Sequence, residues 1–376
     1  MSRRWPALLP LLLAVLALAF GLRLWTGPGI VYSPHSDIVA YLAGAKTVFQ
    51  EALRQEGGLP LWNPSANCGT PAQARPASMY TFPLHWPYLF LSVERATNLA
   101  VLLDLLLAGL AMYLLALRLL ERPESAFFCG AGYMLCRLCL HMLHAGWFGG
   151  LTMYALAPLW FWALDRLLEK PDGRRTAVLA AVCWLCLIQG YIQGFYYAAL
   201  ASAFFIAWRL RGERGRALAW RLAALAAAGA LGCLLAAPDL LPQLEFVSLS
   251  TRTASDYGFF IRGAPSWPDL RTLLDPSRTG GRAEFWENNF YFGLWLSPPA
   301  LFACWRRPRQ SLPLAAAAAG LLLLCFDTPL TRLCYEALPG FKLFRLPSRM
   351  LMLAQLVLLL LAGRGLDAAW PSLPAR

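Results

Sequence analysis

Thr97-Asn-Leu-Ala-Val-Leu-Leu-Asp-Leu-Leu-Leu-Ala-Gly-Leu-Ala-Met-Tyr-Leu-Leu-Ala-Leu117 is an apolar run broken by a single charge. As a helix rising 1.5 Å per residue it covers about 31 Å, the thickness of a bilayer's hydrocarbon layer. Similar runs lie on both sides, near 7–25, 126–143, 150–168, 176–190, 192–208, 222–240, 291–304, 312–327 and 348–366. The chain of 376 residues is 58% hydrophobic and 14% charged, with mean hydropathy +0.49. A soluble chain of this length carries about a quarter charged residues. The apolar runs recur to the end of the sequence, which also excludes a secreted enzyme with one cleaved signal. Backbone polar groups inside lipid must be satisfied internally, so the runs are read as helices. The expectation is an all-α polytopic membrane protein, one integral domain over 1–376 with about ten transmembrane helices.

The net charge of +12, from 33 Lys+Arg against 21 Asp+Glu, would suggest nucleic acid in a soluble domain. Sorting it by side gives another answer. With the N-terminus placed in the cytoplasm, the inner segments hold 18 basic residues and seven acidic ones. The remaining 15 basic and 14 acidic residues nearly cancel. This is the positive-inside bias, and it predicts a multi-pass protein with both termini cytoplasmic and no nucleic-acid partner. The long loops, 26–96 and 241–290, then lie outside and are expected to hold short helices and the functional groups.

In the first loop Asp37 opens a helical pattern. Ser36 or Asp37 can cap that helix; alternatively Asp37 is a general base at the membrane surface with His35 as its helper. Further on, Leu61-Trp-Asn-Pro64 through Pro83 is rich in proline, amides and aromatic rings. Asn63 and Gln73 suit hydrogen bonding to sugar hydroxyls, whereas Trp62, Tyr80, Trp86 and Tyr88 fit an ordinary interfacial belt. Among the ten cysteines, the pairs Cys136/Cys139 and Cys183/Cys186 lie in apolar helix, where Cys packs as a small hydrophobe. Only Cys68 and Cys334 fall in outer loops, where a disulfide between them is conceivable. His141, His144 and Arg137 share a helical face, but two His without a carboxylate make a weak metal site, and no metal is expected. Gln189 and Gln193 line a polar cavity or bond between helices.

Several of these segments resemble the YfhO-type bacterial membrane proteins, relatives of the GT-C glycosyltransferases. The resemblance rests on Ser36-Asp37, on Leu59-Pro-Leu-Trp-Asn-Pro64 followed by Gly69, and on Phe341-Lys-Leu-Phe-Arg-Leu-Pro-Ser-Arg349. It extends to the His141–Trp147 turn leading to Pro158, to Gln189-Gly-Tyr-Ile-Gln193 and to Glu287-Asn-Asn-Phe-Tyr291-Phe-Gly293. What it implies is a GT-C-like enzyme of the bacterial cytoplasmic (inner) membrane. Such an enzyme moves a sugar from a polyprenyl-phosphate carrier to a glycan, lipid or protein acceptor outside, with no cofactor. The acidic residue of the first outer loop then carries over to Asp37. Two departures stand out: no second acid sits beside Asp37, and YfhO-type proteins commonly continue beyond about ten spans.

The chemistry asks for a base and for cations that stabilise the leaving phosphate. Lys342, Arg345 and Arg349 cluster before the last span and can bind phosphate, or else snorkel at a helix end. Glu245 or Glu287 can supply the missing second acid, and Asn288 joins the substrate-binding set. Two other classes compete. A lipid or polysaccharide transporter or flippase predicts paired helix interruptions in repeated halves, of which the sequence shows no convincing sign. A noncatalytic scaffold leaves the loop motifs without a reason.

Overall fold

The computed structural model describes residues 5–31, 33, 36–250, 256–275, 277 and 286–370. The described chain is helical apart from one two-stranded hairpin. Its helices are α1 (Trp5–Phe20), α2 (Leu22–Thr26), α3 (Ala43–Gln55), α4 (Val93–Leu119), α5 (Pro123–Met134), α6 (Arg137–Ala145), α7 (Phe148–Glu169) and α8 (Gly173–Ile188). They continue with α9 (Ile192–Arg209), α10 (Gly215–Ser248), α11 (Tyr257–Ile261), α12 (Ser297–Arg306), α13 (Pro308–Leu323), α14 (Pro329–Ala337) and α15 (Leu351–Ala369). Strands β1 (Trp62–Asn63) and β2 (Thr70–Pro71) pair antiparallel.

Four segments are long and apolar enough to cross a membrane: Val93–Leu119, Pro123–Ala145, Gly215–Ser248 and Pro347–Ala369. They mark a membrane protein. The other expected spans are shorter or more polar. The run 291–304 is the plainest difference: helix begins only near Leu294, and the ten residues of α12 cover about 15 Å, half a bilayer. The chain breaks at Arg307 (φ −132°, ψ 57°), and Pro308 at the first turn of α13 starts the next helix. At the other extreme α10 runs past residue 240 to Ser248, so the start of the expected loop 241–290 is helix.

Side-chain caps mark the starts of three helices. Asp172 caps α8 by accepting from Arg175 N at 2.8 Å, Asp256 caps α11 from Phe259 N at 2.7 Å, and Thr328 caps α14 from Thr331 N at 3.2 Å. Inside α10, Pro242 has no N–H to give the carbonyl four residues back. That carbonyl belongs to Pro238, and the side-chain amide of Gln73 donates to it at 3.3 Å.

The chain forms two compact units. One comprises 1–16, 108–141 and 251–376, the other 17–107 and 142–250. In the first, α15 is the central helix, packed by α5, α12 and α13, and Gly365 lets it approach Pro299 so closely that a Cβ would stand 1.8 Å from the Pro299 carbonyl oxygen. In the second, α8 packs along α10 and against α7. The long segment between α2 and α4 packs Phe49, Ala72, Tyr80 and Tyr88 into a small core with Ala96 of the first turn of α4. Asn98 of α4 ties the start of this loop, accepting from Val31 N and donating to Gly29 O, both at 2.9 Å.

Candidate functional site

In the second unit a cavity of about 400 Å³ is walled by pieces that lie far apart in sequence. Residues 37–45 give one wall, the hairpin a second, Arg75–Tyr80 a third, and the turns at 146–149 and Gly190 a fourth. Most wall residues are small, such as Ala40, Gly44, Ala66, Ala77 and Gly149. The functional groups stand out against them: the carboxylate of Asp37, the guanidinium of Arg75, the amides of Asn63 and Asn67, the hydroxyls of Tyr41 and Ser78, and the Trp147 indole.

Asp37 immediately precedes a π-helical turn, Ile38–Leu42, whose Ala40, Tyr41 and Leu42 line the cavity. Single π-turns recur at functional sites because the wider turn re-aims side chains. The cap of this turn is Ser36, whose Oγ accepts from Ile38 N at 3.2 Å; the Asp37 side chain makes no cap bond and is exposed. Of the two residues able to cap, Ser36 does so. The segment is pinned from the other side, since Ser33 Oγ donates to His144 O at 2.7 Å. Next to it Gly146, at φ +68°, lies so close that a Cβ would stand 2.1 Å from Ser36 Oγ and 2.9 Å from Asp37 N. His35 lies outside the described residues.

The hairpin rim is strained. Asn67, Cys68 and Gly69 occupy the left-handed region in succession, with φ of 51°, 62° and 108°. Gly69 is needed there because the Trp62 indole covers it, and a Cβ would come within 2.5 Å of that ring. Two consecutive non-glycine residues in this region cost about 1–3 kcal/mol each, and such strain collects at binding sites. Asn63 is buried with its Oδ1 accepting from Ser65 N at 2.9 Å, which leaves its NH₂ group for the cavity.

Arg75 is half-buried; its carbonyl accepts from Ser78 N at 3.0 Å, and its guanidinium makes no hydrogen bond or ion pair among the described residues. Behind it Lys46 is 0% exposed. Its Nζ donates to Ser78 O at 2.7 Å and Met79 O at 3.2 Å, and lies 4.9, 5.2 and 5.7 Å from the ring centroids of Tyr88, Tyr80 and Phe49. Burying an ammonium costs several kcal/mol. Charge-assisted hydrogen bonds of about 1.5–3 kcal/mol each and ring faces of up to about 2 kcal/mol offset that cost. Burial still holds the Lys46 pKa well below the ordinary lysine value. His85 is buried beside it, edge-on to Phe82, Tyr88 and Phe148. Burial first, and then the Lys46 charge, push its pKa well below that of free imidazole.

The other expected site residues lie elsewhere. Gln73 turns to α10, where it serves the carbonyl that Pro242 frees, and does not line the cavity. Glu245 is exposed on α10. In the first unit, Arg349 Nη2 pairs with Glu287 Oε1 at 3.3 Å, both nearly buried. Asn288 donates to Gly263 O at 2.9 Å, Lys342 lies over the Tyr335 ring at 5.5 Å, and Arg345 is half-buried. Leu346, at φ 56°, gives its N–H to Phe260 O at 3.0 Å, so the 341–349 motif is built into this unit's own core. Gln189 closes its own turn, with bonds to Tyr191 N and O at 3.0 and 2.8 Å, and Gln193 donates to Tyr197 Oη at 3.0 Å. Cys68 and Cys334 are free thiols. Among the described residues, no three His, Cys, Asp or Glu side chains gather where they could hold a metal.

Sequence reasoning missed Arg75, Trp147, Gly146 and Lys46. For Arg75 and Lys46 a signal existed, since a cation in a segment expected outside runs against the positive-inside bias and asks for a reason. Gly146 and Trp147 lie in the turn that the resemblance takes in, and their place in the cavity becomes visible only when residues 36 and 146 meet. No model of a known protein family, no characterised protein and no solved structure matches the chain.

Proposed function

We propose that the chain is a membrane glycosyltransferase of GT-C type, taking a sugar from a polyprenyl-phosphate donor to an acceptor on the outer side of a bacterial cytoplasmic membrane. The observation that carries the reading is the Asp37 carboxylate and the Arg75 guanidinium lining one cavity with two amides and an indole. In this reading Asp37 takes the acceptor hydroxyl proton as the hydroxyl attacks the sugar's anomeric carbon. The bond to the phosphate oxygen then breaks and the electron pair leaves with the phosphate, whose charge Arg75 receives bidentately. Asn63 and Asn67 address sugar hydroxyls, and Trp147 offers a flat face to the ring. In this reading the count of about ten spans rests on the apolar runs, and the cytoplasmic termini and the outward face of the cavity rest on the charge asymmetry.

The test is transfer by the purified chain in lipid nanodiscs, supplied with polyprenyl-phosphate sugars. Asp37→Asn, nearly isosteric, is expected to lower turnover by about 10²–10⁴-fold with the protein still folded. Equal turnover in parent and variant, or no turnover in the parent with any donor, overturns the reading.

A further inference from the structure

The chain has 33 basic side chains, and all but Lys46, Lys170 and Lys342 are arginine. Lys170 and Lys342 are exposed, and Lys46 alone of the three is buried. A lysine where the chain otherwise uses arginine points to geometry. The Lys46 site offers two carbonyls and three ring faces around one point, which suits a compact ammonium with diverging donors and not a flat guanidinium fork. The carbonyls belong to Ser78 and Met79, at the end of the 3₁₀ turn Pro76–Ser78, and Met79 is in the left-handed region at φ 45°. A non-glycine residue stays there only where its surroundings hold it. Gly190 supports this turn from another side, where a Cβ would stand 2.6 Å from Met79 Cγ and 2.7 Å from Pro76 O. The same turn carries Arg75, Ser78 and Tyr80 into the cavity wall, while Gly44 and Ala45, just before Lys46, line the wall that begins at Asp37.

We propose that Lys46 is a positioning residue of this cavity. Its ammonium ties the Asp37-bearing segment, through α3, to the Arg75-bearing turn, and so fixes the two charged groups relative to each other. The inference rests on the cavity being the acting site named above, and it assigns Lys46 no contact with substrate.

The first measurement needs no variant. Reductive methylation of the full chain in nanodiscs with ¹³C-formaldehyde is expected to tag Lys170 and Lys342 and leave Lys46 unmodified. Lys46→Met then keeps an apolar stem and removes the donors. Amide hydrogen exchange across 75–82 is expected to rise at least tenfold with α4 and α7 unchanged, and calorimetric affinity for decyl phosphate to fall about tenfold, the same loss expected of Arg75→Ala. Methylation of Lys46 as fast as Lys342, exchange at 75–82 equal to the parent, or a rise spread evenly over the chain overturns the positioning role. A parent that binds no decyl phosphate counts against the transferase reading, while the exchange of Lys46→Met still decides the role of Lys46.

Discussion

Ser36 and Asp37 divide two tasks between neighbours. Either could cap the turn that follows; Ser36 Oγ takes Ile38 N, and Asp37 lines the cavity. In the other unit Arg349 is matched by Glu287 inside the protein, so its charge has a structural reason without any ligand. His85 allows a prediction with a definite sign. Its folded pKa lies below the free value of about 6.5, so the unfolded chain binds the proton more readily. The contribution of neutral His85 is complete above pH 6.5 and declines as pH falls from there toward the folded pKa. Stability is expected to drop by about 1.4 kcal/mol per pH unit in that window. His85→Phe, which keeps the ring stack, should flatten that part of a melting-temperature profile taken between pH 7.5 and 5; an unchanged slope would refute the account.

Among the elements, the turns matter more than the long helices. The α6–α7 turn touches the Asp37 segment at Gly146 with no room for a methyl group. Gly146→Ala would place a non-glycine residue at φ +68°, at about 1–2 kcal/mol of backbone strain, and would press on Ser36 and Asp37 N. Displacements near 1 Å are enough to lower turnover about 10²-fold. Gly146→Ala should therefore lose more than tenfold in transfer while melting only a few degrees lower. Full activity in that variant would mean that the clamp does not set Asp37. Gln73 shows the converse, a polar loop residue whose visible work is to satisfy a carbonyl that Pro242 leaves open in α10.

For the whole molecule, the charge asymmetry makes a prediction about sidedness. Cys68 is an exposed free thiol on the hairpin rim, in the same loop as Asp37. Cys334 is the other free thiol in a segment expected outside, so a membrane-impermeant maleimide applied to intact cells should label Cys334→Ser and not the Cys68→Ser/Cys334→Ser double variant. Labelling that requires permeabilised cells would put Asp37 on the cytoplasmic side and remove the proposed chemistry from the outer face. At this scale the sequence was legible: four apolar segments long enough to cross a membrane coincide with runs read from composition. It was less legible for 291–304, where apolar residues with few charges fill non-helical backbone and a ten-residue helix. Hydropathy measures burial, and a residue is buried by protein as readily as by lipid.

The sequence alone determined the membrane character and the helical class, because both depend on local composition: long apolar runs in lipid require helices. It also singled out Asp37 and Asn63, which share the cavity. Only the tertiary structure decided their companions. Arg75, Trp147, Gly146 and Lys46 join Asp37 around one cavity through backbone carbonyls, left-handed turns and ring faces, in contacts between residues up to 110 positions apart. No periodicity encodes such contacts, because each depends on a close approach between segments that have nothing in common along the chain.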